Sequence, residues 1–190
     1  IDMYLYIIRK TEIMQQEVCA VQRELLEQLR EITEEERRIL NGDAEVDRDL
    51  YTSGSDFTID SNKMLEEGKL IAVRTHTRFV HFPSHRHNFI EVLYVCEGSV
   101  TNIIDGKKVV VGKGELLFLN QYTRHELLPA GENDIAINFM ILPEFFDVAY
   151  SMTGRNNVLA DFLVNIMEDS LTKEAALKAY HNIFLSLIHI

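Results

Sequence analysis

Tryptophan is absent from the 190 residues, proline occurs three times and cysteine twice. Cys19 and Cys96 lie far apart, in segments of different pattern. Two such cysteines offer no disulfide framework, and a reducing cytoplasm is the expected setting. Basic charge is scarce as well. Lys and Arg number 19 against 30 Asp and Glu, a net charge of −11. A surface this acidic repels phosphate backbones, and the basic pairs Arg37-Arg38 and Lys107-Lys108 stand alone. This stretch is therefore not expected to bind nucleic acid by itself. Long apolar runs are missing too. Ile1–Ile8 is broken by Asp2, closes on Arg9-Lys10 and is followed by no small-residue cleavage site. It is too short to cross a bilayer, so no membrane partner is expected. The first residue is not Met and the last four are Leu187-Ile188-His189-Ile190. Both ends read as cuts in a longer protein.

What is present is enough apolar side chain, 46% of residues, for one domain with a sizeable core. Over residues 11–40, Met14, Val18, Val21, Leu25, Leu29 and Ile32 recur at spacings of three and four, and Asn41-Gly42 supplies a stop. The spacing predicts one helix, which packs on a neighbouring barrel or serves self-association. The run Glu34-Glu35-Glu36 reads as its solvated face. Residues 41–69 are rich in Gly, Ser, Asp and Asn and read as a polar connector, with a short helix near Lys63–Glu67.

From Leu70 the pattern becomes β. Short apolar runs at 70–75, 78–82, 89–96, 100–104, 108–111, 115–119, 126–128 and 135–141 are separated by turn residues. About eight short strands at this spacing predict a sandwich or closed barrel. Asp105-Gly106 suits a type I′ hairpin turn, in which both central residues take positive φ. After Pro143 helices are expected over 144–152, 157–167 and 172–187. Leu159, Phe162, Leu163 and Ile166 form an apolar stripe suited to pairing two subunits.

The informative stretch is His85-Arg86-His87-Asn88-Phe89-Ile90-Glu91, with Gly98 seven residues on. Alternate residues of a strand share a face, so His85, His87, Phe89, Glu91 and Leu93 point one way. His125 lies beyond a second apolar run that opens at Gly114. Two imidazoles, a carboxylate and a third imidazole from another strand suit a divalent Zn, Ni, Fe or Mn ion. They equally suit a polar mouth in which these groups are satisfied by water and by each other. Cys96 has the opposite parity and belongs to the other face.

The spacing His-x-His, three residues, Glu, six residues, Gly resembles the first cupin motif, at His85, His87, Glu91 and Gly98. Gly114 and His125 resemble the second. The sequence departs from the family pattern in four places. Phe79 stands where a Gly is usual, Asn120 and Tyr122 replace a Pro and a Gly, and Pro129 replaces an Asn. The segments from Phe82 to Leu128 and from Asn138 to Phe146 further resemble the N-terminal domain of AraC-type transcription regulators.

That resemblance implies a mainly β fold with α flanks, a cupin-like double-stranded β-helix or jelly-roll barrel between an N-terminal helix and C-terminal helices. It divides the chain into a helix and connector (1–69), an effector-binding barrel (70–142) and a helical dimerisation segment (143–190). It also implies a sensing rather than catalytic protein, with no catalytic residues. The ligand-binding set would be His85, His87, Phe89, Glu91, Leu93 and His125, four of them (His85, His87, Glu91 and His125) a metal set. The effector would be a sugar or small organic acid, with no cofactor required. DNA would be bound only through a helix-turn-helix domain outside this sequence, by a homodimer. The alternative is a metal-dependent cupin enzyme of the sugar isomerase or dioxygenase type.

Overall fold

Thr33 divides the N-terminal helical region in two. The computed structural model describes residues 23–42 and 45–147. Residues 23–30 are helical (α1), and a second helix, α2, spans Glu34–Leu40. Thr33 Oγ1 accepts from the Glu36 N–H, and the Glu36 carboxylate accepts from the Thr33 N–H. This reciprocal capping box starts a new helix where the apolar spacing predicts continuity. The expected single helix is thus two in its described part, and residues 11–22 lie outside that part.

The connector holds core. Val46, Tyr51, Phe57 and Ile59 are buried within the main hydrophobic cluster. Thr58–Ile59 forms β1, parallel to the later strand that carries Arg86 and His87. The polar composition around these residues belongs to turns: Asp47 caps the short 3-10 turn Arg48–Leu50, and Asp60 caps α3 at Ser61–Met64. A linker between units is therefore not what residues 46–59 form. The short helix falls just before its expected place.

Eight further strands follow: β2 (Ile71–Thr75), β3 (Phe82–His87), β4 (Ile90–Glu97), β5 (Ser99–Ile104), β6 (Lys107–Gly112), β7 (Leu116–Leu119), β8 (His125–Leu127) and β9 (Ile135–Ile141). Residues 143–147 begin a helix, α4, with Pro143 at its first position. The strands form two sheets, ordered β1-β3-β8-β5-β6 and β2-β9-β4-β7. The fold is mainly β, a two-sheet jelly roll with few helices, as expected. The main core, including Phe82, Phe89, Leu93, Val95, Val100, Leu117 and Met140, is enclosed by the two sheets. A second cluster, Ile90, Val92 and Phe146 with Phe118 and Phe139, takes the opposite strand parity.

One strand is displaced. Residues 78–81 were expected to begin a strand, and instead β3 starts at Phe82. Phe79 sits at φ 69°, which ends any strand, and the Arg78 and Phe79 N–H groups donate to Glu36 and to Ala130 rather than to a ladder. Pro83 is accommodated inside β3 because the β3–β8 register slips between Phe82 and His85. Asp105 and Gly106, at φ 49° and 72°, make the expected turn between β5 and β6. The Leu159–Ile166 stripe and the helices expected at 157–167 and 172–187 fall outside the described residues.

Candidate functional site

The His-x-His pair is delivered by β3, whose alternate residues turn inward: His85 and His87 are buried while Ser84 and Arg86 are exposed. The chain breaks from the ladder at Asn88-Phe89 and re-enters as β4, keeping the same parity. Phe89, Glu91, Leu93 and Val95 are therefore buried too. His125 opens β8, directly across from His85.

The structure brings the three imidazoles and the carboxylate into one cluster. Ligand-type atoms of His85, His87 and His125 lie within 4.8 Å of one another. His87 Nε2 is 3.5 Å from His125 Nε2. Glu91 Oε2 is 3.4 Å from His87 Nε2 and 3.7 Å from His125 Nε2. Two tautomers follow from the partners. The Pro83 carbonyl can only accept, so His85 Nδ1 donates to it at 2.8 Å. His125 Nδ1 likewise donates to Asn102 Oδ1 at 2.9 Å. Each of these rings is left with a bare Nε2 lone pair, and its outer nitrogen is held as a metal-binding histidine's usually is.

Burial sets the charge state. Desolvation lowers His85 to about 4 and puts His87 and His125 well below the ordinary imidazole range, with neighbouring imidazoles adding to the last two. All three are neutral near pH 7. Desolvation raises Glu91 to about 7, and Arg74 opposes the rise. Without a cation, Glu91 and the facing imidazoles can share a proton. The donor set fits a divalent ion. With metal–donor bonds of roughly 2.1 Å, a tetrahedral site places donors about 3.4 Å apart, near the separations among His87, Glu91 and His125, with His85 within 4.8 Å of the other two imidazoles. His85, His87, Glu91 and His125 would hold such an ion.

A small cavity of about 40 Å³ adjoins the cluster. His85, His87, Phe89 and Glu91 line it, with Tyr51, Arg74, His76, Thr77, Asn138 and Met140. His125 reaches it only through the histidine cluster. Leu93, expected to face a ligand, is packed in the main core and does not line the cavity. Phe89 lies 4.9 Å, ring to ring, from His87 and acts as a wall for that imidazole. Sequence reasoning missed the opposite wall. Arg74 and Asn138 face each other across the β2–β9 pair, and no motif marks either. Tyr51 comes from the supposed connector. His76 is buried, and desolvation lowers it to about 4.

Comparison with known proteins bears on residues from β2 onward. Residues 67–152 match the AraC-like ligand binding domain. A search of curated proteins finds no match. Solved structures with a similar fold include the EutQ protein of Clostridium difficile, at 23% identity and TM-score 0.32, covering 38% of this chain and 55% of that one. An RmlC-like cupin from Shewanella frigidimarina is 23% identical with TM-score 0.32, covering 37% and 65%. KdgF from Halomonas sp. is 14% identical with TM-score 0.32, covering 40% and 84%. The chain thus spans little more than half of that EutQ protein, and each of these likenesses takes in less than half of this chain. The AraC-like segment runs from the start of the barrel into α4 and contains all four residues of the histidine–carboxylate cluster.

Proposed function

We propose that this chain is the effector-sensing and dimerisation region of an AraC-type transcription regulator, acting in the cytoplasm. The observation that carries the reading is the match of residues 67–152 to an AraC-like ligand binding domain. The partly open cavity lined by Arg74, His76, His85, His87, Glu91 and Asn138 of that segment, together with Tyr51, Ile59 and Met64 from before it, supports it. A small molecule enters the cavity and favours one packing of the barrel against its helices. It shifts that equilibrium only by its difference in affinity for the two states. The barrel turns over no substrate. The homodimer forms through the segment after Pro143, and DNA is contacted by a helix-turn-helix domain encoded beyond Ile190. The test is to extend the open reading frame past Ile190. A basic helix-turn-helix pair is the expected result, and a stop codon directly after Ile190 would contradict the regulator reading.

A second reading is favoured by the donor separations at His85, His87, Glu91 and His125: a metal-dependent cupin enzyme. A bound ion would supply a Lewis acid that polarises a substrate oxygen. Elemental analysis of the purified chain beside a His87→Ala variant separates the two. Partial metal occupancy without turnover is expected. Stoichiometric metal lost in the variant, together with product formed only by the parent, would promote the enzyme.

A further inference from the structure

Three residues of the cavity lining, Arg74, Tyr51 and Thr77, offer donors suited to an anion, and they are engaged by a carboxylate of the protein, Glu35, that is not itself part of the lining. Arg74, on β2, lines the cavity and donates to Glu35 Oε2 at 2.9 Å. Thr77 Oγ1 donates to the same oxygen at 3.2 Å, and the Tyr51 hydroxyl donates to Glu35 Oε1. Arg74 also donates to the Tyr51 hydroxyl at 3.1 Å and lies over its ring at 5.0 Å. One guanidinium and two hydroxyls thus converge on one carboxylate. That carboxylate comes from α2, outside the barrel sheets.

Its neighbour Glu36 holds α2 in place independently. Both Glu36 oxygens accept from Arg78, at 2.7 Å and 2.9 Å, and side chains on both sides of this pair are essentially unexposed. Glu35 is therefore not needed to keep α2 attached. Three polar atoms of lining residues are buried without a hydrogen-bond partner among the described residues: His76 Nε2, His87 Nδ1 and Asn138 Oδ1. Such atoms are costly to leave unpaired. They lie in the lining that Arg74 shares, where a ligand hydroxyl would satisfy Asn138.

We infer that the cavity is a site for a small hydroxy-carboxylic acid, with Arg74 as its anion-reading group and Glu35 as the internal carboxylate that takes the Arg74, Tyr51 and Thr77 donors in the absence of ligand. This rests on the effector-sensing reading above. A ligand carboxylate takes the Arg74, Tyr51 and Thr77 donors, and Glu35 swings to solvent. A cavity of 40 Å³ has room for roughly three waters, so the ligand is small, on the order of five or six heavy atoms. Release of Glu35 exposes its carboxylate on the surface of α2 while the Glu36–Arg78 pair keeps the helix seated.

Calorimetric titration and thermal shift of the full chain with glycolate and lactate, beside neutral glycolamide and glucose, test this. The acids are expected to bind and the neutral compounds not. Arg74→Met should abolish acid binding. Glu35→Gln, which removes the competing charge, should tighten it about tenfold, since the binding-competent state no longer competes with an internal occupant. If Arg74→Met does not fold, the gain in Glu35→Gln alone decides. Binding of glycolamide or glucose as tight as that of the acids, or no gain in Glu35→Gln, overturns the carboxylate assignment and leaves the sensing role standing. Silence across the whole panel in both proteins counts against both.

Discussion

At the scale of single residues, Glu36 decides more than its sequence neighbourhood suggests. Burial alone would raise its carboxyl pKa, but hydrogen bonds from Arg78 and from the Thr33 and Arg78 N–H groups outweigh that and hold it below the usual range. Arg78 uses its remaining donors on the carbonyls of Glu132, Arg30 and Glu31. The pair is thus fully satisfied, the condition under which a buried ion pair persists. Truncating one partner leaves the other charge buried and unpaired. Glu36→Ala or Arg78→Ala is expected to lose about 3–5 kcal/mol of unfolding free energy in urea titrations. The double variant should lose less than the sum of the two. Equal and additive losses under 1 kcal/mol would mean the pair is not closed. In the sequence Glu36 is one of three consecutive glutamates and reads as solvated. The partner that reverses that reading lies 42 residues away, where periodicity cannot reach. His85, His87 and Glu91 were legible because strand parity fixes their common face without knowledge of any partner. The cluster's geometry belongs to the fold, and its occupant to experiment.

At the scale of elements, the strands after Ile90 were readable because their turns carry their own chemistry. Asp105-Gly106 takes positive φ at both positions, and β5 and β6 then pair in unbroken register from Ser99 with Gly112 to Ile104 with Lys107. Gly98, between β4 and β5, has a second reason to be glycine. At φ 71°, an added Cβ would lie 2.2 Å from Asp134 Oδ1 and 2.7 Å from the Asn133 carbonyl oxygen. The close approach lets the Asp134 carboxylate accept from the N–H groups of Ser99 and Gly131, at 2.8 Å each. Gly98→Ala is expected to cost more than about 2 kcal/mol, combining left-handed strain with displacement of the half-buried Asp134 carboxylate that caps two N–H groups. Adding Asp134→Ala should not restore stability, because the Asn133 backbone remains in the way. Recovery in the double variant, measured by thermal unfolding, would contradict this. The segment 78–81 reads as strand from its β-prone residues Phe79 and Val80 ahead of Phe82. A positive φ at Phe79 and backbone donors committed elsewhere override it. Such tertiary commitments leave no local mark.

At the scale of the molecule, four buried neutral histidines tie stability to pH. His76 and His85 are lowered to about 4, and His87 and His125 well below 6.5, all chiefly by desolvation. In the unfolded chain imidazoles titrate near ~6.5, so below that pH the unfolded state takes up protons the native state refuses. Their stabilising contribution is complete above pH ~6.5 and is lost as pH falls from there toward 4. Glu91 works the other way. Its folded pKa of about 7 lies above the unfolded value, so its favourable contribution is present at low pH and lost as pH rises through 7. Four groups against one give a net loss on acidification, up to roughly 4 kcal/mol per pH unit near pH 5. Urea midpoints with a chelator present should fall steeply between pH 6.5 and 5. Midpoints equal at pH 7.5 and pH 5 would mean these histidines are not buried neutral.

The claim that this barrel senses rather than converts a small molecule is tested most directly by following one ligand through binding. The purified chain, with and without added Zn, Ni, Fe or Mn, is titrated with sugars and small organic acids. Each compound that raises the unfolding temperature is then incubated with the protein and recovered. The account predicts saturable stabilisation of order RT ln(1 + [L]/Kd), with the compound recovered chemically unchanged in every metal condition. A compound that stabilises the chain and is recovered as product, with conversion lost in His87→Ala, would contradict it.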